Sequence, residues 1–162
     1  MSLESVRAFF SKNAPDIEII EMKTSTATVT QAAEAHGVEP GRIAKTLSLR
    51  VGERSFLVVT RGDARLDNRK VKAAFGGKAS MLDAEQVHSL TGHPVGGVCP
   101  FGLATPLPVY CDISLKAFDE VVPAAGSIHT AVRIGPERMA ALVGADWVDV
   151  CQEASAKSEP AG

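Results

Sequence analysis

Apolar positions along the chain change period several times, and each change marks an element. Leu3, Val6, Phe9 and Phe10 fall near one helical face, with Ser2 before them as a cap. Residues 16–22, DIEIIEM, alternate enough for a strand, and a polar stretch, KTSTA, follows. Thr28 and Gln31 have the spacing of a capping box, from which Ala32, Ala33 and Ala35 continue a short helix to Gly37. In IAKTLSLRV (43–51) the period is two: Ile43, Leu47, Leu49 and Val51 share one face with Lys45, and Ala44, Thr46, Ser48 and Arg50 share the other. FLVVT (56–60) is an unbroken apolar run, as in a central strand, and VGER between the two runs predicts a hairpin.

Residues 67–75 predict a helix ended by Gly76-Gly77, and Asp83 with Gln86 caps another. LPVYCDI (107–113) reads as a strand, EVVPAAG and TAVRI as two more around a turn at 126–129. Pro136 opens a last helix, and WVDV (147–150) closes the sheet. Hairpins and meanders interrupted by short helices predict a single α/β domain over residues 1–152. Its mixed, strongly curved, barrel-like sheet carries helices outside. The small, polar tail from 153 to 162 is expected to be disordered.

Composition narrows the function classes. Apolar residues make up 45% and charged residues 22%, with a net charge of −2, an ordinary balance for a water-soluble domain. No apolar run spans a bilayer and the N-terminus lacks the order of a signal peptide, so a cytoplasmic protein with no membrane partner is expected. Cys99, Cys111 and Cys151 match no zinc spacing, and the four histidines are scattered, so neither a metal nor a cofactor is expected. The charge is unevenly placed: of 17 Lys and Arg residues, 10 lie between 42 and 78. Such a basic segment suits a phosphate backbone or, equally, a solvated helix face.

Two features carry candidate chemistry. Lys45 sits on the apolar parity of a strand, where a lysine either snorkels to the rim or waits at a pocket mouth for a phosphate or carboxylate. GGVCPFG (96–102) packs three glycines, a proline and a cysteine into seven residues. It is either a plain turn or a run of backbone N–H groups able to hold an anion or a developing oxyanion. Cys99 invites a thiol mechanism, but no histidine is placed beside it by spacing.

Four motifs occur in order: AKTL at 44–47, RGDARLDNRKV at 61–71, TGHPVGGVCPFG at 91–102 and LPVYCD at 107–112. Together they resemble the YbaK / prolyl-tRNA synthetase editing-domain family over residues 3–150. The family's members are aminoacyl-tRNA deacylases, either stand-alone or inserted in a synthetase. The resemblance implies a stand-alone trans-editing factor whose partners are a mischarged tRNA acceptor end and, in some arrangements, a synthetase. It places the family's lysine on Lys45, its following small polar residue on Thr46, and its GG-x-SP-x-G loop on Gly96, Gly97, Pro100 and Gly102. Cys99 replaces the more usual serine, and Ala27 stands where many relatives carry an aromatic.

The same resemblance implies roles for these residues. Lys45 is expected to anchor the terminal phosphate or orient the ester, and the Gly96 and Gly97 N–H groups to bind the oxyanion. Water is activated with help from the free ribose hydroxyl. Thr28, Thr46, Cys99, Pro100, Phe101, Gly102 and His129 are expected around the aminoacyl group, and Arg65, Arg69, Lys70 and Lys72 on the tRNA. A polar pocket leans toward Ser, Thr or Ala, with Cys-tRNA-Pro the other candidate. The alternatives are a non-catalytic tRNA-binding or interaction module and a small-molecule ester hydrolase using the same loop.

Overall fold

The computed structural model describes residues 2–152; the polar tail lies outside them. The element order is α1 (Ser2–Asn13), β1 (Ile20–Glu21), α2 (Val29–His36), β2 (Ile43–Val51), β3 (Arg54–Arg61), α3 (Asn68–Phe75), β4 (Ser80–Met81), α4 (Ala84–Thr91), β5 (Val109–Asp112), β6 (Val122–Pro123), β7 (Thr130–Ala131), α5 (Pro136–Val143) and β8 (Asp146–Val148).

The caps fall where the sequence puts them. The Thr28 hydroxyl accepts from the Gln31 N–H and the Asp83 carboxylate from the Gln86 N–H, each inside a complete capping box. Gly37, Gly76 and Gly144 end their helices in the left-handed region, which costs glycine nothing.

The β2–β3 hairpin is the centre of the sheet, in register from Ala44↔Arg61 to Val51↔Arg54. β3 is central, as its apolar run predicts, because β5 pairs its other edge in parallel and β8 then pairs β5 in parallel. Both faces are covered. Leu57 and Val59 point to a core built with Val6, Phe10, Phe101, Leu115 and Met139. Phe56 and Val58 point the other way, to Leu49, Val51, Val71 and Phe75. This alternation along one strand is why FLVVT needs no polar residue before Thr60.

The domain is thus a mixed sheet flanked by helices. It differs from the sequence reading in three respects. The sheet of the described residues closes no barrel, with β4 and β8 at its ends. And where meanders are expected, three of the pairings are parallel, because the segments joining them carry helices or long loops. The DIEIIEM strand shrinks to Ile20–Glu21, paired with β7 apart from the main sheet. Among the described residues no helix is long and apolar enough to cross a membrane.

The feature that positions a site is a break in one edge. The edge of β2 opposite β3 is shared by two short strands. β6 pairs in parallel at Ile43 and Ala44, and β4 pairs antiparallel at Leu49 and Arg50. Between them no strand of the described residues covers Lys45, Thr46 and Leu47.

Candidate active site

A cavity of about 250 Å³ fills that break. Ala44, Lys45, Thr46 and Ser48 form its β2 wall, and Ala27, Thr28, Val29 and Ala32 face them from the start of α2. Leu82 and Val87 line it beyond β4, Val122, Ala124, Thr130 and Ala131 beyond β6, and Val95, Gly96 and Val98 complete it from the glycine loop. Ser48 accepts from the Leu82 N–H at 3.0 Å on this edge. By the two-residue period of a strand, Thr46 turns its own N–H and C=O the same way, into the gap.

The hydroxyls of this cavity are unequal. Thr26 donates to the Ile128 carbonyl at 2.9 Å, Thr28 caps α2, and Thr130 is held by Ser127 and the Ala125 carbonyl at 2.7 and 3.2 Å. The Thr46 Oγ1 is buried with no hydrogen-bond partner among the described residues. A stranded buried hydroxyl costs roughly 1–3 kcal/mol, and a ligand that reaches it recovers that cost.

Lys45 leaves β2 on the opposite face from Thr46, at the rim. Its ammonium donates to the Ala64 carbonyl at 2.6 Å, in the loop between β3 and α3. Partial burial pushes its pKa below the ordinary lysine value, and the nearby Cys151 and Asp63 oppose that shift. The rim charge is therefore held in place but incompletely neutralised.

The glycine loop is built for rigidity. His93 is buried, with Nε2 2.8 Å from the Phe101 carbonyl and Nδ1 2.6 Å from the Ser2 hydroxyl. Burial lowers its pKa, and the Phe101 carbonyl pulls the other way. The Phe101 carbonyl can only accept, so Nε2 carries a proton and donates to it. The Ser5 hydroxyl holds the Gly102 carbonyl at 3.0 Å, and the Ser2 hydroxyl donates to the Gly126 carbonyl at 2.5 Å. Gly96 has φ 92, a value that L side chains rarely adopt, and a Cβ there would meet the Ala27 Cβ at 2.9 Å.

Of the residues expected around one site, the structure brings Thr28, Lys45, Thr46 and Gly96 together on the cavity. Gly97 departs from its expected role. Its N–H donates to the Pro94 carbonyl at 2.9 Å and its carbonyl accepts from Gly126 at 3.1 Å, so that donor is already engaged. Gly96 and Val98 are the loop residues that border the cavity, and among the described residues their N–H groups make no backbone hydrogen bond.

Cys99, Pro100, Phe101 and Gly102 do not line the cavity. Cys99 and Phe101 are fully buried in the core, where the Phe101 ring packs 4.6 Å from Phe10. Their apolar character serves packing under the loop. The Cys99 sulfur lies 3.6 Å from His93 Nε2, but that nitrogen faces the Phe101 carbonyl, and burial pushes the thiol up to about 12. His129 also lies off the cavity. Its Nδ1 donates to the Thr24 carbonyl at 3.1 Å, tying down the segment that supplies Thr26 and Ala27.

The basic segment also divides. Arg61 is paired with Asp63 at 2.6 Å. Lys70 bridges Asp149 at 3.0 Å and the Cys151 carbonyl at 2.9 Å, a structural tie between α3 and the C-terminal strand region. Arg65, Arg69 and Lys72 are exposed and have no salt bridge among the described residues. No group of three or more His, Cys, Asp or Glu among the described residues is placed to hold a metal.

The sequence reading missed Ser48, Met81, Val95 and Val98. Ser48 had a signal, since it shares the parity of Thr46. The others sit in a two-residue strand and a turn, whose place on the open edge only the tertiary pairing reveals.

Comparison with known proteins places these features. The model of the aminoacyl-tRNA editing domain matches residues 23–142, a span that holds every residue lining the cavity. The uncharacterized protein YwhH of Bacillus subtilis strain 168 is 46% identical over 155 residues, covering 94% of this chain and 99% of that one. The proline–tRNA ligase of Bacillus licheniformis is 31% identical over 102 residues; the match covers 62% of this chain and only 18% of the ligase. A solved structure described as a proposed trans-editing enzyme for prolyl tRNA synthetase superposes with a TM-score of 0.86 at 33% identity, over 94% of this chain and 98% of that one. The structure of the hypothetical protein APE2540 gives 0.84 at 28% identity, over 91% and 99%.

Proposed function

This chain belongs to the aminoacyl-tRNA editing domain family, and from that premise we propose that it is a trans-acting deacylase that hydrolyses the ester of a mischarged tRNA. The observation that carries the reading is the cavity in the broken edge of β2. It has a rim ammonium (Lys45), an unpartnered hydroxyl (Thr46) and a glycine loop on one small volume.

Each part has a task. The terminal ribose and its phosphate sit at the rim, where Lys45 meets the phosphate and orients the ester. The aminoacyl side chain enters the cavity. Its walls are largely apolar and its unpartnered buried hydroxyl is Thr46, which favours small or hydroxylated groups such as Ser, Thr or Ala, with Cys-tRNA-Pro as the other candidate. Water attacks the ester carbonyl, assisted by the free hydroxyl of the terminal ribose. The developing oxyanion is met by the Gly96 N–H together with that of Val98, which takes the place expected of Gly97. A preorganised donor of this kind is worth about 3 kcal/mol of barrier.

A panel of aminoacyl-tRNAs tests the reading: ester loss is expected for the small or hydroxylated members. Tight tRNA binding without hydrolysis of any member would instead identify a binding module. Equal turnover of simple aminoacyl esters would identify a small-molecule hydrolase. On the hydrolysed member, a terminal 2′-deoxyadenosine is expected to slow turnover strongly; unchanged turnover rules out assistance by the ribose.

Cys99→Ser is expected to keep activity within a few-fold. The serine hydroxyl can donate to the Phe101 carbonyl that Cys99 already faces at 3.7 Å. Loss of turnover in a folded Cys99→Ser protein would point to covalent thiol catalysis.

A further inference from the structure

A second, smaller groove of about 80 Å³ lies beside the cavity, between α3 and β4. Leu49, Leu66, Val71 and Ala79 form its apolar floor, with Asn68, Lys72 and Lys78 at its margins. Met81 lines both the groove and the cavity, so the two are neighbours across one side chain. Met81 is 62% exposed and Val95, across the cavity, 61%, two of the most exposed large apolar residues of the fold. Lys72 and Lys78 are exposed and carry no salt bridge among the described residues, unlike Arg61 and Lys70 of the same segment.

We propose that this groove is a nucleotide subsite: the penultimate nucleotide of the acceptor end lies with its base on the apolar floor and its phosphate between Lys72 and Lys78. This rests on the deacylase reading for the direction of the strand. An ester seated in the cavity leaves its nucleotides outside the mouth. Of the ground next to that mouth, the groove beyond Met81 combines an apolar surface for a base with two unneutralised ammonium groups for phosphate. Met81 then packs against the terminal nucleoside on one side and the penultimate base on the other. Asn68 supplies a side-chain amide to a base edge or a sugar hydroxyl.

Equilibrium binding of the trinucleotide CCA and of adenosine 5′-monophosphate to the intact protein, followed by NMR shifts, reads this without catalysis. CCA is expected to bind more tightly than the mononucleotide and to shift Ala79, Met81 and Val71. The double variant Lys72→Gln/Lys78→Gln should weaken CCA by about fivefold and leave the mononucleotide unchanged, while Met81→Ser should weaken both. A Lys12→Gln control on α1, outside the lining of both groove and cavity, should leave CCA binding as it is. Equal affinity for the two probes, or a CCA affinity indifferent to Lys72 and Lys78, overturns the subsite. Failure of the deacylase reading would show separately, as absence of ester hydrolysis across the aminoacyl-tRNA panel.

Discussion

Replacing Lys45 by alanine is expected to lower deacylation on the order of 100-fold in a protein that stays folded. The side chain stands at the rim of the cavity, and its hydrogen bond to the Ala64 carbonyl tethers a surface loop. Removing it costs roughly 1 kcal/mol, a fall of about 2–4 °C in the melting midpoint of a domain this size. The catalytic loss comes from a different source. A substrate without its phosphate anchor no longer holds the ester where water and the loop donors converge. The loss should therefore appear in kcat as well as KM. Single-turnover kinetics at saturating aminoacyl-tRNA, with a thermal melt alongside, separate the two effects. In the proposed mechanism the ammonium is the form that acts, and burial lowers its pKa, so turnover should fall as pH rises through a value below the ordinary lysine range. Full activity in Lys45→Ala would remove the lysine from the mechanism.

Gly97→Ala is expected to fail in both stability and activity. An added Cβ would stand 2.7–2.8 Å from the Ser127 backbone N, Cα and C atoms. Those are main-chain atoms, and the Gly126 N–H that precedes them is bonded to the Gly97 carbonyl at 3.1 Å. The clash therefore cannot be relieved by turning a side chain; the loop must separate from the 126–130 segment. Overpacking of that kind costs about 1–3 kcal/mol. Displacing the neighbouring Gly96 and Val98 by about 1 Å is enough to cost on the order of 100-fold in rate. Urea denaturation and kinetics on one preparation test the pair of effects. Stability and turnover both equal to the parent chain would mean that the loop is not a fixed wall of the cavity. The Gly97 N–H is engaged by the Pro94 carbonyl, and the Ser127 backbone leaves no room for a Cβ, so a spacing role is what the variant tests.

Most of the local structure was legible because it is written in local chemistry. Thr28 with Gln31 and Asp83 with Gln86 close their own caps, and a period of two over 43–51 makes a strand wherever it lies. Partnership was not legible. Nothing in VYCD tells that it runs parallel to β3, and a strand of two residues, Ser80–Met81, carries no period at all. The site divides the same way. Lys45 stood out because a cation on the apolar parity of a strand needs explaining, whereas Thr46 came only with the family resemblance. The glycine loop was found by composition, but the tasks of its residues were not. Whether Gly97 or Val98 turns an N–H outward depends on Pro94 and Ser127, and whether Cys99 is wall or core depends on Phe10. The basic run shows the same limit: Lys70 looks like Lys72 in the sequence, and its ties to Asp149 and the Cys151 carbonyl, far along the chain, make it structural.

The serines of the first helix give the glycine loop an unusual history. Ser2 reaches His93 across 91 positions and Gly126 across 124, and the loop's own Gly97 carbonyl waits for the Gly126 N–H. During synthesis from the N-terminus, α1 is made first and stays unclasped while the loop emerges. One wall of the cavity, Ala124 to Ala131, is still missing at that moment. A growing chain therefore passes through most of its length with the lysine, the hydroxyl and the glycines all present but unassembled. The cavity is complete only when the segment around Gly126 joins both ends of the fold.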